Sequence, residues 1–101
     1  MKRKSRKDYR LRARVMKALA HPSRLLMVDE LKKGERCVCE LTDLVGADVS
    51  TVSKHLAILK SAGIVECDKR GLQVFYRLRC ECIPQFFDCI ESVLRGRRKG
   101  A

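Results

Sequence analysis

No apolar run in this sequence approaches the length that a bilayer-spanning helix needs. The basic residues at its start, MKRKSRKDYRLRAR, lack the apolar stretch behind them that makes a secretory leader. A cytoplasmic location is therefore expected. Histidine is scarce. The two present, His21 and His55, stand in no motif that pairs them with a nucleophile, which argues against an enzyme. Acidic residues are in deficit as well, 12 against 23 Lys and Arg in 101 residues, for a net charge of +11. Such an excess suits a polyanionic partner, and nucleic acid stands ahead of an acidic membrane surface. There is no internal repeat and no inter-domain linker, so the chain reads as one domain. So short a chain buries only a modest core, and dimerisation is a common remedy.

Cysteine, by contrast, is plentiful, with six residues. In a protein expected in the cytosol these are not read as structural disulfides. Metal binding or thiol chemistry is the expectation.

Residues 1–8 are a charge run without an apolar anchor and are expected to form a disordered basic arm. Residues 9–95 make the folded domain, and residues 96–101 a basic tail. From Tyr9, the positions Leu11, Val15, Met16, Ala18 and Leu19 follow a helical period that should end near Ala20. His21 precedes Pro22, which suits the first turn of a new helix over about residues 23–33, with Leu25, Leu26, Val28 and Leu31 as its apolar stripe and Gly34 as its stop. A third helix is expected over residues 37–45. After the turn Gly46-Ala47-Asp48, a fourth follows over about residues 50–62, with Val52, Leu56, Ile58 and Leu59 apolar and Gly63 at its end. The period then falls to two. Residues 64–67 and 73–78 read as strands of a hairpin whose basic turn is Lys69-Arg70-Gly71. Pro84 opens a last helix with a heavy stripe of Ile83, Phe86, Phe87, Ile90, Val93 and Leu94.

A helix, a Gly-containing turn, a second helix and a two-stranded hairpin form a winged helix-turn-helix arrangement, mainly α with a small β-hairpin. In that geometry the second helix enters the major groove by its N-terminal part. Here that part is Val49, Ser50, Thr51, Val52, Ser53, Lys54 and His55. Ser50, Thr51, Ser53 and His55 can reach base edges, while Lys54 and Lys60 suit phosphates. Ser50 also suits the N-cap of this helix. Lys69 and Arg70 at the hairpin tip face the adjacent backbone or minor groove.

Three blocks, ALAHPSRL (18–25), ERCVCELTDLVGADVSTVSKHLAILKSAGIV (35–65) and RGLQVFYRL (70–78), resemble the ArsR/SmtB family of winged-helix repressors. The resemblance implies the order α1-α2-α3-α4-β-β-α5 and a homodimer formed largely by the first and last helices. It also implies a repressor that holds double-stranded operator DNA until a ligand releases it. Many members carry a polar residue such as Gln where this chain has Val49.

The Cys-Val-Cys-Glu-Leu block resembles the arsenic-responsive members most closely. Thiolates select soft ions, and trivalent arsenic or antimony takes three of them. Cys37 and Cys39 supply two. Residues two apart on a helix point in nearly opposite directions, so both sulfurs converge only if this segment is extended or frayed. In the best-known pattern a third Cys follows where this chain has Thr42. Cys82 and Cys89 are the candidates for the missing ligand, with Cys80 behind them, in the same or the other chain. Zinc is the competing ion, through a four-sulfur set of Cys37, Cys39, Cys80 and Cys82. A thiol-redox or persulfide sensor of the same fold, linking Cys37 or Cys39 to Cys89, is a further alternative. A constitutive nucleoid or RNA-binding protein with structural zinc is a third. Cys67 reads as a small hydrophobe in the wing.

Overall fold

The computed structural model describes residues 3–100, the side chains of the last four excepted. Its elements run α1 (Arg6–Leu19), α2 (Pro22–Lys32), β1 (Arg36–Cys37), α3 (Val38–Val45), α4 (Val49–Ser61), β2 (Val65–Arg70), β3 (Gln73–Leu78) and α5 (Ile83–Gly100). The expected order is present, with one addition. The sheet has three antiparallel strands in the order β1-β3-β2, because Arg36 and Cys37 pair with Tyr76 and Phe75. A two-residue strand carries no period, so the sequence pattern offers no sign of it. Cys37 is accordingly a strand residue, and α3 begins after it.

The helix starts follow local hydrogen bonding. Ser5 and Asp8 form a reciprocal capping box, the Ser5 N–H donating to Asp8 Oδ2 at 2.9 Å and the Asp8 N–H to Ser5 Oγ at 3.3 Å. The Ser5 N–H first, and then the Ser5 hydroxyl, which donates to Asp8 Oδ2 at 3.0 Å, hold the Asp8 carboxyl below its ordinary value. The capping bonds, N–H-to-oxygen contacts of the first turn, start α1 at Arg6, so residues 6–8 of the expected disordered arm are helical. Residues 1 and 2 of that arm lie outside the described residues, as does residue 101 of the tail, and residues 96–100 continue α5. His21 stands just outside α2, and its Nδ1 accepts the Ser23 N–H at 3.1 Å.

The core gathers where α2, α3, α4 and the hairpin meet. Met27, Leu41, Leu56, Leu59, Ile64, Val28, Val52 and Val65 are its fully buried side chains. Each such side chain contributes about 1.5–3 kcal/mol by leaving water. Tyr76, Leu78, Ile83 and Phe87 pack against this cluster from one side and Val15 from another. The expected α2 stripe needs correction. Met27 is fully buried, whereas Leu25 and Leu26 are 38% and 43% exposed in the protomer. Leu25 faces a groove of about 370 Å³ shared by Met16 and Leu19 of α1 and Phe86, Ile90 and Leu94 of α5. Much of the apolar surface on the first and last helices is thus open to solvent.

Candidate nucleic-acid interface and thiol sites

The turn before α4 is set by two residues. Gly46 takes a left-handed conformation (φ +74°) that ends α3, its N–H donating to the Thr42 carbonyl at 2.9 Å. Asp48 then caps α4, with Oδ1 accepting the Thr51 N–H at 2.7 Å and the Ser50 hydroxyl at 2.9 Å. The Thr51 amide first, then the Thr51 and Ser50 hydroxyls, hold the Asp48 carboxyl below its usual range. The cap is therefore Asp48 and not Ser50, whose hydroxyl is committed to the cap carboxylate. An Asp just ahead of the first apolar helical residue is the sequence signal for this role.

Val52, Leu56 and Leu59 seat α4 on the core, which leaves Val49, Ser50, Thr51, Ser53, Lys54 and Lys60 exposed along its outer side. Val49 is 57% exposed, an apolar group at the leading end of the helix. His55 is less open than the other polar residues on this side of α4. Its ring is half-buried and lies 4.3 Å from that of His21, and its Nδ1 accepts from Arg24 Nε at 3.1 Å. Arg24 in turn donates to the carbonyls of Lys17 and Ala18. His55 thus ties α4 to the start of α2 and the end of α1 through Nδ1. Burial first, then the neighbouring His21 and Arg24, lowers its pKa and favours the neutral ring.

The wing tip also divides. The turn itself is Gly71-Leu72, with Arg70 paired to Gln73, so the expected turn residues Lys69 and Arg70 belong to β2. Lys69 is exposed. Arg70 is already engaged: it makes a two-pronged contact to Glu35 at 2.6 and 2.7 Å, bonds Asp68 at 2.9 Å and lies over the Phe75 ring at 4.7 Å. A contact from Arg70 to the DNA backbone or minor groove therefore has to displace these carboxylates. Arg77 extends the network to Glu66 and Asp68. These arginines pull the Asp68 carboxyl down, and the carboxylates push both guanidinium values up. Glu35 gives no sequence signal of this role, because it stands 35 residues from Arg70.

The cysteines fall into two adjacent pairs. Cys37 and Cys39 are linked, as are Cys80 and Cys82, each with Cα atoms 5.4 Å apart. These links depart from the reading that the cysteines form no structural disulfides. The reason is local. Cys37 is extended, at φ −80° and ψ 162°, while Cys39 lies in the first turn of α3, so the two sulfurs meet across the strand-to-helix junction. The Glu40 carboxylate accepts the Cys37 N–H at 3.0 Å and fixes that junction. Cys37 is buried and Cys39 exposed, beside a groove of about 260 Å³ completed by Val38, Leu72, Gln73 and Val74. Thr42 offers no substitute donor there, as its hydroxyl bonds the Val38 carbonyl at 2.8 Å. Cys89 is free and exposed on α5, and Cys67 is free and half-buried in β2.

Among the described residues no group of three or more His, Cys, Asp or Glu side chains is placed to hold a metal ion. Within one protomer, then, Cys82 and Cys89 do not complete the Cys37–Cys39 pair. The four-sulfur zinc set is not formed, and neither is a link from Cys37 or Cys39 to Cys89.

Residues 21–66 match the family described as "Bacterial regulatory protein, arsR family". The chain is 35% identical over 89 residues to the biofilm growth-associated repressor of Xylella fastidiosa, covering 88% of this chain and 78% of that one. It is 40% identical over 83 residues to an arsenic resistance transcriptional regulator of Pseudomonas putida, covering 81% and 62% respectively. Other matched regulators are longer, and the match spans 36% of one and 47% of another. Among solved structures, the homodimeric winged helix-turn-helix DNA-binding domain Mb0332 of Mycobacterium bovis superposes with a TM-score of 0.79 at 32% identity, covering 100% of this chain and 96% of that domain. Among the described residues no helix is long and apolar enough to cross a membrane.

Proposed function

Because the chain belongs to the arsR family of bacterial regulatory proteins, we propose that it is a cytoplasmic transcriptional repressor. As a homodimer it holds double-stranded operator DNA, and it lets go when Cys37 and Cys39 take up trivalent arsenic or antimony. The exposed leading end of α4 reads the major groove through Thr51 and Ser53, with Val49 in apolar contact, and Lys54, Lys60 and Lys69 engage phosphates. The apolar side chains left open on α1 and α5, Leu11, Met16, Ile90, Val93 and Leu94, supply the dimer surface. The homodimeric state of the Mycobacterium bovis domain supports that reading.

One observation carries the sensing half. Cys37 sits on a strand paired with wing strand β3, and Cys39 sits on α3, which packs against α4. A ligand spanning the two sulfurs therefore pulls on the wing and on the support of the recognition helix at once. The binding form is the reduced dithiol, whose thiolates match a soft, thiophilic ion. The third thiolate comes from α5 of the second subunit, and Cys89 is preferred over Cys82 because it lies on that helix, whereas Cys82 precedes it. The arsenic resistance regulator of Pseudomonas putida supports arsenic over other effectors.

The test is operator binding by the reduced protein with arsenite, zinc, cadmium and sulfane sulfur side by side. Arsenite should release the DNA, and unchanged binding in arsenite ends the proposal. The linked state of Cys37 and Cys39 favours a second reading, a thiol-redox or persulfide sensor at the same pair. Release by sulfane sulfur or mild oxidant, with arsenite inert, selects it.

A further inference from the structure

We propose that Cys80 and Cys82 form a second, separate thiol switch, a dithiol that reacts with hydroperoxides and sets how firmly the first turns of α5 are held. The inference is independent of the effector assigned to Cys37 and Cys39.

Three features of the structure carry it. The two sulfurs are joined, with Cα atoms 5.4 Å apart, so the dithiol closes on itself without moving another element. The pair is open to solvent: Cys82 is exposed and Cys80 half-buried, whereas Cys37 of the other pair is only 5% exposed. An oxidant or a thiol reductant reaches Cys82 directly, and access is one of the factors that set thiol–disulfide rates. Lastly, the linked residues themselves anchor the helix. The Cys82 carbonyl accepts the N–H groups of Gln85 at 3.1 Å and Phe86 at 3.3 Å, and the Cys80 carbonyl accepts that of Ile83 at 3.4 Å. Pro84 is buried and Phe86 and Phe87 are half-buried. After Phe87, every residue to Gly96 is exposed in the protomer. A staple at its base therefore has leverage over the helix whose apolar side chains Ile90, Val93 and Leu94 lie further along.

The chemistry balances with a hydroperoxide as oxidant. The Cys82 thiolate attacks the peroxide O–O bond, forms an S–O bond as a sulfenic acid, and releases water or an alcohol. The Cys80 thiol then attacks the Cys82 sulfur, the S–S bond forms, and the sulfenic oxygen leaves as a second water. Two thiols lose two electrons and two protons in all, and the peroxide takes them. A dithiol reductant reverses the link by exchange through a mixed disulfide.

The experiment uses the full chain in a Cys89→Ser background, so that any link within the C-terminal peptide is assigned to Cys80 and Cys82. Reduced protein is pulsed with hydrogen peroxide, blocked with an alkylating agent and mapped by mass spectrometry. Amide exchange over residues 83–90 is followed in both states. The expected result is early loss of two hydrogens from the peptide holding Cys80 and Cys82, before the Cys37–Cys39 peptide changes, with slower exchange over residues 83–90. Cys80→Ser with Cys82→Ser should abolish that slowing. Dithiothreitol-reduced protein without those substitutions provides the same comparison should the double variant fold poorly. The proposal is overturned if this peptide stays reduced while Cys37 and Cys39 oxidise. It is equally overturned if α5 exchanges alike in both states.

Discussion

The chain contains the same short motif twice, Cys-x-Cys at the mouth of a helix, and the two copies behave differently. In both, the first Cys lies outside the helix and the Cα atoms stand 5.4 Å apart. The first copy is built into the molecule. Its strand pairs with β3, Glu40 bonds the Cys37 N–H, and Leu41 two residues on is fully buried. The second copy sits at the base of a largely exposed helix, with Ile83 and Phe87 as its main links to the core. Motif and spacing alone define a pair of sulfurs. What each pair can move is decided by the elements it is joined to.

The sharpest test of that contrast exchanges the pairs one at a time. Cys37→Ser with Cys39→Ser should abolish arsenite-dependent release in an operator-binding assay while DNA affinity without arsenite is retained. Cys80→Ser with Cys82→Ser should leave that release intact. A loss of response in both variants would erase the distinction.

Removing the anchor beneath the first pair comes next. Leu41→Ala should destabilise the protein by about 2–5 kcal/mol in denaturant unfolding, since it leaves a cavity in the core. Val93→Ala on α5, where the side chain is 66% exposed, should leave the protomer's own stability nearly unchanged and act through association, read by sedimentation.

The same contrast, like groups in unlike surroundings, extends to the wing. Lys69→Ala should weaken operator and random DNA alike and reduce the salt slope of binding by about one. Arg70→Ala should change that slope less, because its charge is met by Glu35 and Asp68. Equal slopes in the two variants would show that Arg70 leaves its carboxylates to meet phosphate.

The smallest effect concerns His55. Its folded-state pKa lies below the ordinary 6.5, through burial and the nearby His21 and Arg24. The folded protein then binds fewer protons than the unfolded one. The contribution is fully present above about pH 6.5 and is lost as pH falls through the depressed folded value. Thermal unfolding across pH 5–8 should show a decline on the acid side that His55→Asn flattens.

Much of this architecture was legible from local pattern. The helices over 22–32, 38–45 and 49–61 and the strand over 73–78 match the periods of Val28, Leu31, Leu41, Val52, Leu56 and Leu59, and of Tyr76 and Leu78. Helix starts were less so. Ser5 with Asp8, and Asp48 with Thr51, are hydrogen-bonded choices that outweigh the apolar pattern by a residue or more. The candidate interface was legible as a helix face. Which polar groups on it are free was not, and Ser50, His55 and Arg70 each turn out to be held by a neighbour.

Local pattern specifies the fold class, the place of the helix after the Gly46 turn and the demand that Cys37 and Cys39 meet only off a regular helix. Those follow from periodicity, turn residues and the geometry of residues two apart, all of which act over a few neighbours. Long-range packing sets Cys37 on a strand shared with the wing, pairs Arg70 with Glu35 and brings His55 to Arg24. Each depends on residues dozens of positions apart being brought together as the core closes, and no local preference encodes that meeting.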